Sequence, residues 1–138
     1  LLKTFIPQLE SCIIRPLKIL TKKLKIFGYD REMRHVVINL IKNAIDQMVS
    51  KSVKDPTIWI STFMNGDLLN ITIEDNGGGV DESVIKTIFE PYVSTKSLNG
   101  TGLGLYMTKR IIQDNFKGDI NVANTKQGAE FTIIIKIT

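Results

Sequence analysis

Residues 57–79 read TIWISTFMNGDLLNITIEDNGGG, and their pattern decides the fold. Two runs rich in isoleucine and other apolar residues with threonine, 57–64 and 68–75, flank Asn65-Gly66-Asp67, which predicts a β-hairpin. The second strand ends in an acid followed by three glycines, an ending that packing alone does not call for. Upstream, Met33, Val36, Val37, Leu40, Ile41, Ala44 and Met48 fall on one arc of a helix over 31–51, with Asp30 able to cap its start. Downstream, the pattern predicts a short helix over 82–88 that ends before Pro91, a loop over 92–100 and a helix over 103–116. A closing hairpin of 119–123 and 130–138 follows, in which Phe131, Ile133, Ile135 and Ile137 alternate toward one face. Antiparallel strands on one side and helices on the other define an α+β, two-layer sandwich. The first 24 residues repeat apolar side chains at a helical period (Leu2, Phe5, Leu9, Ile13, Leu17, Leu20, Leu24) with a break at Pro16, which predicts a helical segment. Residues 25–29 read as a short strand, with a turn at Gly28.

The 138 residues fit one domain, and 43% apolar with 23% charged residues excludes a disordered or fibrous chain. A single cysteine, Cys12, excludes an internal disulfide framework and a cysteine zinc site. His35 is the one histidine, which excludes His-rich metal sites. The net charge of +4 is unevenly placed: residues 1–35 hold 8 basic and 3 acidic residues, whereas 36–138 hold 10 and 11. The basic excess therefore sits before the body of the domain. No basic stretch is interleaved with aromatic residues, so no nucleic-acid partner is expected. The apolar stretch at 5–20 carries Glu10, Arg15 and Lys18 and is too charged to cross a bilayer. No targeting segment is visible, and the expectation is a cytoplasmic domain without membrane contact of its own, in a full-length protein open to membrane attachment. The chain opens Leu-Leu without a methionine, as a fragment of a longer protein would.

Three motifs carry chemistry. Asn39 and Asn43 are four apart on the 31–51 helix, beside its apolar arc and close to one another. They either bond to neighbouring backbone or form a ligand site, since an amide carbonyl is a hard ligand suited to Mg²⁺. Asp75-Asn76-Gly77-Gly78-Gly79 is either an Asx-type turn or a gap for a planar group beside an acceptor-only carboxylate, fit for an amino donor such as adenine N6. Gly100-Thr101-Gly102-Leu103-Gly104-Leu105 opens a helix but lacks both the sixth-position glycine of the dinucleotide fingerprint and the Gly-Lys-Ser/Thr of the P-loop. It is either a flexible joint or a turn whose free N–H groups and helix dipole make an anion site. Between the last two motifs, Phe89 and Tyr92 suit the base of a lid, and Ser94, Thr95 and Lys96 could reach a phosphate.

The order of these motifs resembles the sensor histidine kinases. Asn39-Leu40-Ile41-Lys42-Asn43-Ala44 is similar to their N box, Asp75-Asn76-Gly77-Gly78-Gly79 to their G1 box, Phe89-Glu90-Pro91-Tyr92 to their F box, and Gly100-Thr101-Gly102-Leu103-Gly104-Leu105 to their G2 box. The resemblance runs from about residue 28 to the C-terminus. It implies the Bergerat ATP-binding fold of the GHKL superfamily, a mixed, mainly antiparallel sheet packed on helices, with ATP between the helices and a lid. It divides the chain into a junction segment, 1–27, and an ATP-binding catalytic domain, 28–138. It implies that Asn43 holds Mg²⁺ and Asn39 lies beside the phosphates, with Asn39, Asn43 and Lys96 as the catalytic group. Asp75 would accept from adenine N6, while Gly77 and Gly79 make room for the base. Phe89, Tyr92, Ser94, Thr95 and Lys96 would belong to the lid. Gly100, Thr101, Gly102, Leu103, Gly104 and Leu105 would present backbone N–H groups to the phosphates.

Position 39 also separates branches of the superfamily. ATP-hydrolysing members resemble one another in placing a glutamate four residues before the Mg²⁺-binding asparagine; here an amide, which cannot take a proton at neutral pH, stands in its place. A self-contained ATPase or a non-catalytic nucleotide-binding module is the alternative to a kinase. Asp46 is acidic where some relatives carry a base. His35 does not resemble a phosphoacceptor, so the implied partners are a histidine-bearing dimerisation and acceptor domain absent from the chain, a downstream response-regulator receiver domain, and a homodimeric whole protein. The domain alone would not autophosphorylate.

Overall fold

The computed structural model describes residues 18–21, 30–93 and 103–136. Strands β1 (Lys18–Thr21), β2 (Thr57–Asn65), β3 (Leu68–Asp75), β4 (Asp119–Asn124) and β5 (Ala129–Lys136) form one sheet in the order β1-β2-β3-β5-β4. All neighbours pair antiparallel except β1 and β2, which run parallel. Helices α1 (Asp30–Ser50), α2 (Glu82–Ile85) and α3 (Gly104–Phe116) complete the described elements. The parallel β1–β2 pair has α1 between its strands, the crossover that parallel neighbours require.

One reading fails here. Lys18–Thr21 is a strand, not part of a helix, and it adds an edge to the sheet through Lys18↔Thr57 and Ile19↔Ile58. A short apolar run satisfies either period, and a parallel pairing leaves no local trace that could arbitrate. The rest of the 1–24 helix and the 25–29 strand lie outside the described residues. Elsewhere the elements fall as predicted to within a few residues: α1 begins on Asp30 itself, and the helix predicted over 82–88 ends at Ile85 and continues as turns. The hairpin closes through Gly66 and Asp67, with Asn65 opposite Leu68.

Alternation sets the core. The row Ile60, Ile73, Phe131 and Val122 runs across four strands on one face, with Ile71, Ile133 and Ile120 in the next row. This face meets Met33, Val36, Val37, Leu40, Ile41 and Met48 of α1 and the fully buried Ile112 of α3. The opposite face carries Ser61, Thr72, Thr132 and Asn121 in one row, as expected for the polar side of a two-layer sandwich. The same alternation brings Asp75 onto the helix side, two residues beyond Ile73, at the end of the strand. A carboxylate is thereby delivered to the edge of the apolar interlayer.

Candidate nucleotide-binding site

Asp75 is 4% exposed. Its Oδ1 accepts from the Gly77 N–H at 2.8 Å, so the Asx-type turn is realised. The Ala129 N–H is a second backbone donor. Burial pushes the carboxyl above its ordinary 3.8, and Glu74 adds to this; the two N–H donors and the Lys51 charge oppose it. The carboxylate has about four lone-pair sites, so the turn does not exhaust its capacity to accept. Asn76, by contrast, is committed to the frame: its Oδ1 accepts from Thr57 N at 3.0 Å and its Nδ2 donates to Asp55 O at 3.0 Å.

The glycines after Asp75 differ in what holds them. Gly78 and Gly79 take φ of +87° and +85°, which favour glycine. At Gly77 a Cβ would lie 3.0 Å from Asp75 Oδ1 and 3.1 Å from Gln47 Cγ. Asn124 clamps the far end of this loop, accepting from Val80 N and donating to Val80 O, both at 2.8 Å. Gly78 N donates to Gln127 O at 3.0 Å. The β4–β5 turn also comes up beneath the acid: a Cβ on Gly128 would sit 1.9 Å from the Asp75 carbonyl oxygen.

Asn39, Asn43 and Gln47 lie at successive turns of one stripe of α1, all half-buried at the edge of its apolar face. The stripe ties together two walls of the site. Asn39 Nδ2 donates to Thr108 Oγ1 of α3 at 3.4 Å, and Gln47 Nε2 donates to Gly79 O at 3.3 Å. Leu103 stands at the N-cap of α3 with no side-chain cap, and a Cβ on Gly104 would meet nothing within 4 Å among the described residues. Leu105 packs partly buried against the core. Phe89 is partly buried too, edge-on to Phe131 with centroids 6.1 Å apart and with Lys109 Nζ 5.3 Å from its centroid. Tyr92 is 77% exposed, at a φ of +65°. Ser94, Thr95, Lys96, Gly100, Thr101 and Gly102 lie outside the described residues.

Four residues that sequence reasoning passed over thus shape the site: Gln47, Thr108, Asn124 and Gly128. Gln47 was within reach, as the next position on the Asn39–Asn43 stripe. The others depend on tertiary pairing and leave no local signal.

An α/β sandwich with a buried strand-end acid, a glycine loop and an open helix N-terminus defines a nucleotide-binding domain. The family model described as histidine kinase-, DNA gyrase B- and HSP90-like ATPase matches residues 28–138. The chain belongs to that family and is an ATP-binding domain of the sensor histidine kinase type. It is 42% identical over 121 residues to the signal transduction histidine-protein kinase AtoS of Escherichia coli K12, covering 86% of this chain and 19% of that protein. Against sporulation kinase A of Bacillus subtilis 168 it is 37% identical over 107 residues, covering 77% of this chain and 17% of the relative. The catalytic domain of the histidine kinase ThkA superposes with a TM-score of 0.75 at 26% identity, over 98% of this chain and 91% of that structure. The chain therefore spans about a fifth of the length of these full-length relatives, and nearly all of an isolated catalytic domain.

Proposed function

We propose that this domain binds Mg·ATP and donates the γ-phosphoryl group to a histidine on a separate dimerisation and acceptor domain of a two-component kinase. The observation that carries this is the buried Asp75, held ready by backbone donors on the helix side of the sheet, with the Asn39–Asn43–Gln47 stripe spanning from its glycine loop to α3. Asp75 accepts from the adenine amino group, and Gly77 and Gly79 let the base lie against the backbone. Asn39 lies beside the phosphates. Phe89 fixes the base of a lid from which Tyr92, Ser94, Thr95 and Lys96 close on the nucleotide. Leu103, Gly104 and Leu105 with Gly100, Thr101 and Gly102 turn N–H groups and the α3 dipole toward the phosphates.

The donor set fits a magnesium ion. Among the described residues no group of three His, Cys, Asp or Glu could cage a metal, whereas Mg²⁺ takes few protein ligands beside waters and phosphates. Asn43 supplies the amide oxygen for it. When bound, Mg²⁺ neutralises charge that builds on the transferring phosphoryl group. The chain's own contribution is positioning: fixed dipoles and a water-poor interlayer, with no base at position 39 to activate water. The domain then works in the cytoplasm, within a homodimeric whole protein that passes its phosphoryl group to a response-regulator receiver domain. None of the helices among the described residues is long and apolar enough to cross a membrane.

The experiment mixes the chain with labelled ATP and acceptor domains from related kinases. Acid-labile phosphohistidine on an acceptor, with none on the chain alone, is the expected result. Phosphate release without transfer would instead make the domain an autonomous ATPase.

A further inference from the structure

We propose that Gln47 is a positioning residue that ties the glycine loop to helix α1, so that the adenine end of the site is built before the nucleotide arrives; the proposal rests on the nucleotide-site reading above. Gln47 Nε2 donates to Gly79 O at 3.3 Å, across 32 positions of sequence. The acceptor settles the direction of this bond. A backbone carbonyl oxygen only accepts, so the NH₂ end of the glutamine amide is the end that faces it. Gly79 is buried and lies in a loop, where its carbonyl has no strand neighbour to bond. A buried carbonyl left unmet is costly, and Gln47 meets it from the helix layer.

The other side of the loop is closed by the β4–β5 end of the sheet. A Cβ on Gly79 would lie 2.9 Å from Asn124 Oδ1 and 3.3 Å from Gly128 O. Asn124 grips both polar groups of the Val80 backbone, and Gly78 N donates to Gln127 O. The loop is therefore held between the two layers. The stem of Gln47 also borders the slot: Asp75 Oδ1 and Gln47 Cγ close on one point beside Gly77, 3.0 and 3.1 Å from where its Cβ would be. One helix thus gauges both ends of the site. α1 carries Asn39 and Asn43 for the phosphate end and Gln47 for the adenine end, and the eight residues of rise from 39 to 47 span about 12 Å.

The test is calorimetric titration of the 138-residue chain with ADP and with a non-hydrolysable ATP analogue, each in millimolar Mg²⁺ and in EDTA, for wild type, Gln47→Met, Gln47→Glu and Asp75→Asn. Methionine keeps the unbranched stem beside Gly77 but cannot donate, and an ionised glutamate keeps the shape but offers the Gly79 carbonyl only acceptors. Loss of one hydrogen bond's net worth corresponds to roughly a 2- to 12-fold drop. Gln47→Met weakens both ligands by one common factor in that range, with and without Mg²⁺, because the lesion lies at the adenine end. Gln47→Glu loses at least as much. In the nucleotide-free chain, hydrogen exchange at the Gly78 and Val80 N–H groups quickens in Gln47→Met while that of the β3 amides stays as in wild type. Thermal melts accompany each variant, with Gln47→Ala as the substitute where Gln47→Met does not fold. Unchanged affinity or unchanged loop exchange in Gln47→Met, a loss confined to Mg²⁺, faster exchange throughout the domain, or a Gln47→Glu variant that binds like wild type would overturn the positioning role. A wild-type chain that binds neither ligand, or an Asp75→Asn variant that binds as tightly as wild type, would instead sink the site reading and the proposal with it.

Discussion

Gly128→Ala isolates the support beneath Asp75, the acid proposed to bind adenine. The methyl carbon would lie 1.9 Å from the Asp75 carbonyl oxygen, 2.7 Å from the Asp75 carbonyl carbon and 2.7 Å from Oδ1. Real Cβ contacts stay beyond 3.0 Å, so the β4–β5 turn and the end of β3 must part by about 1.1 Å. The nearest obstructing atoms are the backbone carbonyl at the end of β3, the central strand of the sheet, and not the end of a flexible side chain. Overpacking of this kind costs about 3 kcal/mol. At this chain length that lowers the melting temperature by about 10 °C. Because the displaced atoms belong to Asp75, affinity for the ATP analogue falls as well, even at temperatures where the variant is folded. Gly104→Ala is the control: nothing lies within 4 Å of its would-be Cβ, and an alanine in a helix is favoured over glycine by up to about 1 kcal/mol, so its melt does not fall. Circular-dichroism melts and calorimetric titration of both variants check this. A Gly128→Ala protein that melts within a degree or two of wild type and binds normally would refute the close approach of the turn to Asp75.

The remaining predictions concern charge, metal and core. Since burial raises Asp75 above 3.8, the folded domain holds that proton more tightly than the unfolded chain, so this residue's contribution favours folding increasingly as pH falls from neutral through the raised value toward 3.8. Over the same window protonation occupies an acceptor site, so analogue affinity falls while stability from this group rises; Asp75→Asn binds weakly throughout and shows neither trend, as paired titrations and melts across pH will report. Asn43→Ala lowers analogue affinity in Mg²⁺ by about tenfold, the worth of a hydrogen bond or ligand to a charged group, and leaves affinity in EDTA unaltered. Ile133→Ala, at a fully buried position in the interior strand β5, costs about 3–4 kcal/mol by chemical denaturation, with analogue binding retained below the melt.

The parts of the fold that were legible in sequence are those with local causes. The period-3.6 arc of α1 and the period-2 alternation of β3 and β5 each repeat often enough to exclude the other element, and Gly66 marks the hairpin between β2 and β3. β1 was illegible because Lys18–Thr21 has too few residues to show a period and its partner lies beyond α1. The site divides in the same way. Asp75, Gly77 and the two asparagines announce themselves because their residue types are wrong for plain packing where they stand. Asn124 and Gly128 look like ordinary turn residues; only the β3–β5 register, with Glu74 opposite Glu130, brings their turn against the glycine loop. Of the two readings of the DNGGG stretch the Asx turn is realised, and it uses Asp75 Oδ1 without exhausting the carboxylate's capacity to accept, which leaves room for the proposed adenine contact.

The amide at position 39 then has two consequences, not one. In the proposed role, an amide where a carboxylate would deprotonate water keeps the γ-phosphoryl group for a protein acceptor. It also creates an NH₂ group at the site's edge that must be satisfied. The Thr108 hydroxyl of α3 satisfies it, accepting from Nδ2 at 3.4 Å. Asn39→Glu alone would set a carboxylate against the same hydroxyl, which can turn to donate to it, and would hold that carboxylate toward α3, away from an attacking water. Restoring the acid in this chain is accordingly expected to yield little phosphate release until Thr108 is also replaced by Val, and strong hydrolysis by Asn39→Glu alone in a malachite-green assay would show that the two side chains are not coupled.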